Sequence, residues 1–207
     1  DLPVQGKLKR KTGMTLVASG CRASIGSRCH IQSQSGPIVD TEVVGFADDL
    51  LYLMPIGRSG GLEPGARVIP SSAHADLLVG DELLGRVIDG TGNAIDQKGE
   101  LKCSDHIRMI GAPINPFNRK PITEPLDVGV RCINGLFSIG RGQRIGLFAG
   151  SGVGKSVLLG QMTRHTNADV VVVGLVGGLG REVREFVENI LGPKDLKKAI
   201  VVATPAD

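Results

Sequence analysis

The residues best placed to do chemistry are consecutive: Ala149, Gly150, Ser151, Gly152, Val153, Gly154, Lys155 and Ser156. Glycine at 150, 152 and 154 lets the backbone curl so that successive N–H groups point inward and cradle an anion. A helix starting at the end of this loop adds its positive N-terminal end. In that setting Lys155 reaches the β- and γ-phosphates of a nucleotide and the Ser156 hydroxyl ligates Mg²⁺. Together with Val157, residues 150–156 form the expected nucleotide-binding set, with Lys155 as its catalytic member. A purely structural turn or a dinucleotide loop are other uses of such a sequence, though a dinucleotide loop would not need the Lys-Ser pair. The loop alone does not supply hydrolysis, which also requires a water-positioning group and a further acid on the Mg²⁺ side.

Such a loop works only between a strand and a helix. The run RIGLFAG before it reads as an apolar strand, and SVLLGQMTRHT after Lys155 reads as a helix. ADVVVVGLVG is β-branched with no polar face, which predicts a parallel strand buried on both sides. From Arg181 to Leu191 the apolar residues Val183, Phe186, Val187, Ile190 and Leu191 recur at helical spacing. Gly192-Pro193 is the expected stop, and AIVVAT is a third buried strand. The order βαβαβ predicts a parallel sheet with helical crossovers.

Upstream the periodicity changes. Residues 1–71 carry short apolar runs between Gly, Pro, Asp and Ser, at Met14–Ala18, Glu42–Phe46, Leu50–Pro55 and Ala66–Pro70, predicting a small β-barrel domain. Lys7, Lys9, Arg10 and Lys11 read as a solvated edge strand, whose charges discourage edge-to-edge pairing. Residues 72–112 form a connecting region in which Gly85, Gly90 and Gly92 punctuate a strand-like run. Asp89 and Asp96 there are read as turn residues. Residues 113–207 make up the phosphate-loop core, entered by an extended strap, because APINPFNRKPITEPLD holds four prolines in sixteen residues and cannot be regular helix. The fold class is α/β: an N-terminal small β-barrel followed by a P-loop parallel-sheet core.

Composition removes several classes of function. Of 207 residues, 41% are hydrophobic and 22% charged, which describes an ordinary folded chain rather than a disordered one. The net charge of +3 and aromatic content of 3%, with no Trp, argue against nucleic acid as a partner. No two of Cys21, Cys29, Cys103 and Cys132 form a CxxC pair, and His30, His74, His106 and His165 are scattered, so metal ligation is not expected. Reduced thiols are the expected state. No apolar stretch is long enough to span a bilayer, and DLPVQGKLKRK has no signal-peptide core. Asp1 is not an initiator Met, so the true start is expected to precede it.

The runs LLGRVIDGTGNAID, EPLDVGVRCINGLFSIGRGQRIGLFAGSGVGKSVLLGQM, REVREFVENILGP and VVATPAD resemble the RecA-type rotary ATPases that include the F-type ATP synthase subunits. Within them the chain is most similar to the flagellar type III protein export ATPases and their virulence-secretion relatives. EVVGF, LYLMP and LEPGARV extend the resemblance into the barrel, so that it covers almost the whole chain. The resemblance implies an enzyme that hydrolyses ATP with Mg²⁺ and assembles as a homo-hexamer with sites between subunits. It implies partners among flagellar export apparatus proteins, stalk or regulator subunits and chaperone–substrate complexes. It places the protein in the cytoplasm, at the cytoplasmic face of the inner membrane, compatible with peripheral membrane association.

Two departures from the family pattern bear on activity. The family reads Gly-Glu-Arg-Gly-Arg-Glu-Val where this chain has Gly177-Gly178-Leu179-Gly180-Arg181-Glu182-Val183. By family role the Glu orients the attacking water and the Arg sits near the γ-phosphate; Gly178 and Leu179 can do neither. Glu182 falls in the following helix and is not expected to serve as the base. The resemblance also implies that the Mg²⁺-side acidic strand, a trans arginine and a C-terminal helical domain lie beyond Asp207. ADVVVVGLVG and AIVVAT are then expected to lack neighbours, with incomplete folding or aggregation as the consequence. Alternatives are a non-hydrolysing nucleotide-binding subunit of a rotary ATPase, a virulence secretion ATPase, and a nucleic-acid motor on the same core. Among nearby residues, Arg141, Gln143 and Arg144 read as turn and surface residues. Glu124, Asp127 and Arg131 read as structural or subunit-contact residues, and Arg181 as a solvated first-turn residue.

Overall fold

The computed structural model describes residues 4–74, 76–109 and 111–206, with side chains undescribed at 72–74. The expectations for Asp1 and for the His74 side chain therefore fall outside the described residues. The chain divides into two compact units, residues 1–76 with 108–110 and residues 77–107 with 111–207.

The first unit holds six strands: β1 (Gly6–Thr12), β2 (Thr15–Ser19), β3 (Ser27–Gln32), β4 (Ile38–Ala47), β5 (Leu50–Pro55) and β6 (Arg67–His74). They close into a barrel in the order β1-β2-β5-β4-β3-β6. Alternation drives the closure. Cys29 and Ile31 of β3, Val39 and Val43 of β4, Leu53 of β5 and Val68 of β6 point inward and are buried with Leu8 and Leu16. Thr41 Oγ1, fully buried beside them, donates to the Cys29 carbonyl at 2.8 Å. Burial, with Cys21 nearby, pushes the Cys29 thiol up to about 11, which keeps it protonated and unreactive.

The basic run does not form an edge. β1 pairs with β2 on one side and, through Gly6↔Val68 and Lys7↔Arg67, with β6 on the other. The barrel has used the edge that the charges were expected to guard. The strand β3 carries no continuous apolar run, since Arg28, His30 and Gln32 alternate outward, and for that reason it was not among the expected strands.

In the second unit β7 (Asp76–Val79) pairs with β9 (Asp105–Arg108), and β8 (Val87–Asp89) joins a parallel sheet. The helices are α1 (Arg131–Leu136), α2 (Lys155–His165), α3 (Gly180–Glu185) and α4 (Gly192–Leu196). The sheet is completed by β10 (Val171–Val176) and β11 (Ala199–Thr204), in the order β10-β11-β8. AIVVAT therefore has a neighbour on each side, contrary to expectation, because β8 from the connecting region supplies the second one. Between α3 and α4 the chain makes a π-helical turn, Phe186–Leu191, that ends at Gly192 with φ 78°. Phe186 and Leu191 pack with Val87, Val173, Val201 and Ala203 against one face of the sheet, as the helical spacing predicted.

Two strand expectations fail. β10 is not buried on both sides: Val173 is buried, but Val172 is 63% and Val176 78% exposed, since the described helices cover one face only. RIGLFAG forms no strand. Residues 143–150 are extended without ladder bonds, and Phe148 is 94% exposed. A segment becomes a strand only where a neighbour offers a row of donors and acceptors, and no described residue does so here.

The proline-rich strap is extended and exposed apart from the turn Pro116–Asn118, as its composition requires. The strap's end is tied to the end of α2. The Asp127 carbonyl accepts from Thr166 Oγ1 at 2.9 Å and from the Asn167 N–H at 3.0 Å, while its carboxylate accepts from the Gly129 N–H and Asn134 Nδ2. Lys198 Nζ donates to the carbonyls of Arg164 and Thr166, placing a cation at the negative end of α2.

In the connecting region Asp89 organises a turn by accepting from the N–H groups of Thr91 and Asn93. Asp96 does more than serve a turn: its carboxylate takes a two-pronged contact from Arg86, at 2.7 and 2.9 Å, with side-chain exposures of 13% for Arg86 and 5% for Asp96. Burial opposes ionisation of Asp96, but Arg86 and the N–H groups of Val87 and Lys98 outweigh it and hold the carboxyl at about 2. Because this lies below the ~3.9 of an unfolded chain, the carboxylate stabilises the fold in full at neutral pH. That contribution, roughly 2 kcal/mol, is lost as the pH falls through about 4 towards 2. Asp96→Ala leaves the part-buried Arg86 with the Gly99 carbonyl but no counter-ion and is expected to cost about 2 kcal/mol at pH 7. Urea midpoints at pH 7 and pH 3 check both statements, since the variant should lose less stability than the parent on acidification.

Candidate nucleotide-binding site

The glycine-rich loop lies where its helix begins. Gly152 has φ 76° and Gly154 φ 93°, left-handed values that side chains disfavour, and Gly154 is the N-cap of α2. Helix α2 follows the loop as expected, while the expected strand before it is absent. Among the described residues, the N–H groups of Gly152 through Val157 have no acceptor within the protein. A row of unsatisfied donors at a helix N-terminus is what an anionic ligand completes. Lys155 Nζ reaches back across the loop to the Ala149 carbonyl at 3.0 Å, so its ammonium already stands over the anion cradle. The Ser156 hydroxyl is exposed and has no hydrogen-bond partner among the described residues, leaving it free to ligate a cation. These features fit a nucleotide phosphate chain with its Mg²⁺.

The loop forms one wall of a cleft of about 670 Å³, and the other wall is the carboxyl end of β10 with the segment after it. Gly150, Ser151, Gly152, Gly154, Lys155, Ser156 and Val157 line it; Val153 does not. Gly178 and Leu179 line the facing wall, so the residues read as departures do sit opposite the phosphate loop. That wall is stapled to β11: the Gly177 N–H donates to the Thr204 carbonyl at 3.0 Å and the Ala206 N–H to the Gly178 carbonyl at 2.9 Å. Ligands of open parallel sheets bind at this end of the strands.

Two cleft carboxylates, Glu182 and Glu185, were not expected. Glu182 does lie in helix α3, as read, but at its third position. From there its side chain turns back to accept from the Leu179 N–H at 3.3 Å, rather than pointing along the helix. A Glu three residues after a helix N-cap is the reaching-back half of a capping box, and that spacing was the available signal.

The other candidates stand outside the cleft. Gln143 Oε1 accepts from the Gly140 N–H at 2.8 Å, a turn contact, and Arg141 makes an exposed 3.8 Å ion pair with Glu124. Arg131 lines a separate shallow cleft with Cys132, Gln161 and His165. Among the described residues no group of His, Cys, Asp and Glu is arranged to hold a metal ion by itself, and no helix is long and apolar enough to cross a membrane.

In the chain, a closed antiparallel barrel precedes a parallel sheet, and the phosphate loop faces the carboxyl end of that sheet's strand β10 across the cleft. Residues 129–207 match the nucleotide-binding domain of the ATP synthase alpha/beta family. It is 55% identical over 207 residues to the flagellum-specific ATP synthase of Pseudomonas aeruginosa, covering 99% of this chain and 46% of that protein. It is 50% identical over 212 residues to the flagellum-specific ATP synthase of Salmonella typhimurium, covering 98% and 46%. Among solved structures it is similar to the assembled ATPase EscN of the enteropathogenic E. coli type III secretion system, with a TM-score of 0.87, 35% identity, and coverage of 98% of this chain and 48% of that one. EscN in complex with its central stalk EscO matches with a TM-score of 0.84, at 35% identity and coverage of 98% and 49%. The chain thus spans about half the length of the relatives it matches.

Proposed function

We propose that this chain is the barrel and phosphate-loop portion of an ATP-hydrolysing subunit of a flagellar type III protein export apparatus. The observation that carries the reading is the row of unsatisfied N–H groups from Gly152 to Val157, beneath the Lys155 ammonium and at the start of α2. The donors neutralise the phosphate chain, and Lys155 draws charge from the β- and γ-oxygens as the terminal bond breaks. Ser156 would hold the Mg²⁺, which would offset the charge of the phosphate chain. Residues 1–76 hold the barrel and residues 111–207 the nucleotide core, whose sheet also takes Val87–Asp89 from the region between them.

The similarity to assembled EscN and to EscN with its stalk supports a ring of like subunits, a homo-hexamer, around a stalk or regulator subunit. The flagellar relatives support export apparatus proteins and chaperone–substrate complexes as partners, and work in the cytoplasm at the inner membrane.

The testing experiment measures phosphate release from Mg-ATP, with fluorescent-nucleotide binding alongside, on the full chain. Parent and Gly178→Glu/Leu179→Arg are compared. Binding is expected in both, with turnover raised about ten- to a hundredfold in the double variant, as a better-placed base and a phosphate-side cation would give. Absence of nucleotide binding in both overturns the assignment.

A further inference from the structure

Position 178, which faces the phosphate loop, has no side chain, yet the space beside it holds a carboxylate. A Cβ built on Gly178 would lie 2.7 Å from Glu182 Oε2. The first turn of α3 folds Glu182 back over its own N-cap, so its carboxylate stands where a side chain at 178 would begin. Both residues line the cleft that Lys155 and Ser156 enter from the opposite wall. Glu185, the other cleft carboxylate, starts from the last residue of α3, almost a turn further from the stapled wall.

We propose that Glu182 is the water-activating carboxylate of this chain, taking over the work for which position 178 has no group. The proposal rests on the ATP-hydrolysis reading above. Glu182 accepts a proton from the attacking water as the water oxygen bonds to the γ-phosphorus. The bond from γ-phosphorus to the bridging oxygen breaks, its electron pair stays on the β-phosphate of ADP, and the proton leaves Glu182 for solvent with inorganic phosphate. The exchange needs only ATP and water. The bond from the Leu179 N–H aims the carboxylate.

The test uses Mg-ATP turnover, fluorescent-nucleotide affinity and thermal melting of the full chain. Glu182→Gln is expected to lower turnover about a hundredfold, with nucleotide affinity within threefold of the parent. Gly178→Ala leaves the carboxylate chemically intact but places a Cβ against it. Turnover should fall about tenfold with binding kept, and this variant decides the matter if Glu182→Gln fails to fold. Adding Gly178→Glu to Glu182→Gln should raise turnover above the single variant. Turnover of Glu182→Gln within twofold of the parent overturns the proposal, as does a parent that binds nucleotide and releases no phosphate. A parent that binds no nucleotide removes the ATPase reading itself.

Discussion

Lys155→Ala lowers the affinity for ATP by roughly two to three orders of magnitude and leaves the fold as it is. The lysine is exposed and its one contact is the Ala149 carbonyl, so its loss should change stability by no more than about 0.5 kcal/mol. Bound to nucleotide, the same ammonium donates to phosphate oxygens. Charge-assisted bonds contribute about 1.5–3 kcal/mol each, and two of them in the lower half of that range correspond to the stated loss at about 1.4 kcal/mol per tenfold. Titration with a fluorescent nucleotide, beside a thermal melt, reads both quantities. An affinity within threefold of the parent would mean that the loop does not hold phosphate.

Gly129→Ala is expected to be the most destabilising single methyl in the second unit, at about 3 kcal/mol or more. Two costs coincide there. Gly129 has φ 72°, where a Cβ is strained by about 1–2 kcal/mol. That Cβ would also lie 2.1 Å from His165 Cβ and 2.6 Å from the His165 carbonyl carbon, which belongs to backbone and cannot swing aside. The clash would push the strap off the end of α2 and strain the bonds between Asp127 and residues 166–167. Gly135→Ala is the matched control. It lies within α1, nothing surrounds its would-be Cβ, and it should be neutral or gain up to about 1 kcal/mol. Urea unfolding of the two variants and the parent separates these outcomes, and equal midpoints would refute the close approach at Gly129.

The sequence pattern made the phosphate loop, α2, the barrel class and three of the parallel-sheet elements legible because each rests on local signals. Glycine spacing, 3.6-residue periodicity and β-branched runs are written within a dozen residues. What was misread depends on partners distant in the chain. β3 alternates too evenly to look apolar, and β1 looks like an edge until β6 closes on it from sixty residues away. β11 gains its second neighbour from Val87–Asp89, which no pattern inside AIVVAT reveals. RIGLFAG has the composition of a strand without a described neighbour to make it one. At the site, the glycine-rich loop was legible and so was the place of Glu182 in a helix, but not the turn of its side chain back over the helix start, which counting residues along a helix hides.

The two walls of the cleft are held in unlike ways. The wall at Gly177–Gly178 is fastened by backbone bonds to Thr204 of β11 and to Ala206 just after it, whereas the N–H groups from Gly152 to Val157 have no acceptor among the described residues. The nucleotide therefore acts as a missing piece of secondary structure for one side and as a guest for the other. Mass action then ties the solidity of this part of the fold to the supply of nucleotide, strengthening by about 2.7 kcal/mol when the ligand stands at a hundred times its dissociation constant. Starvation for ATP would leave such a subunit idle and also soften it around the loop, so that energy status is registered in the protein's own rigidity before any turnover occurs.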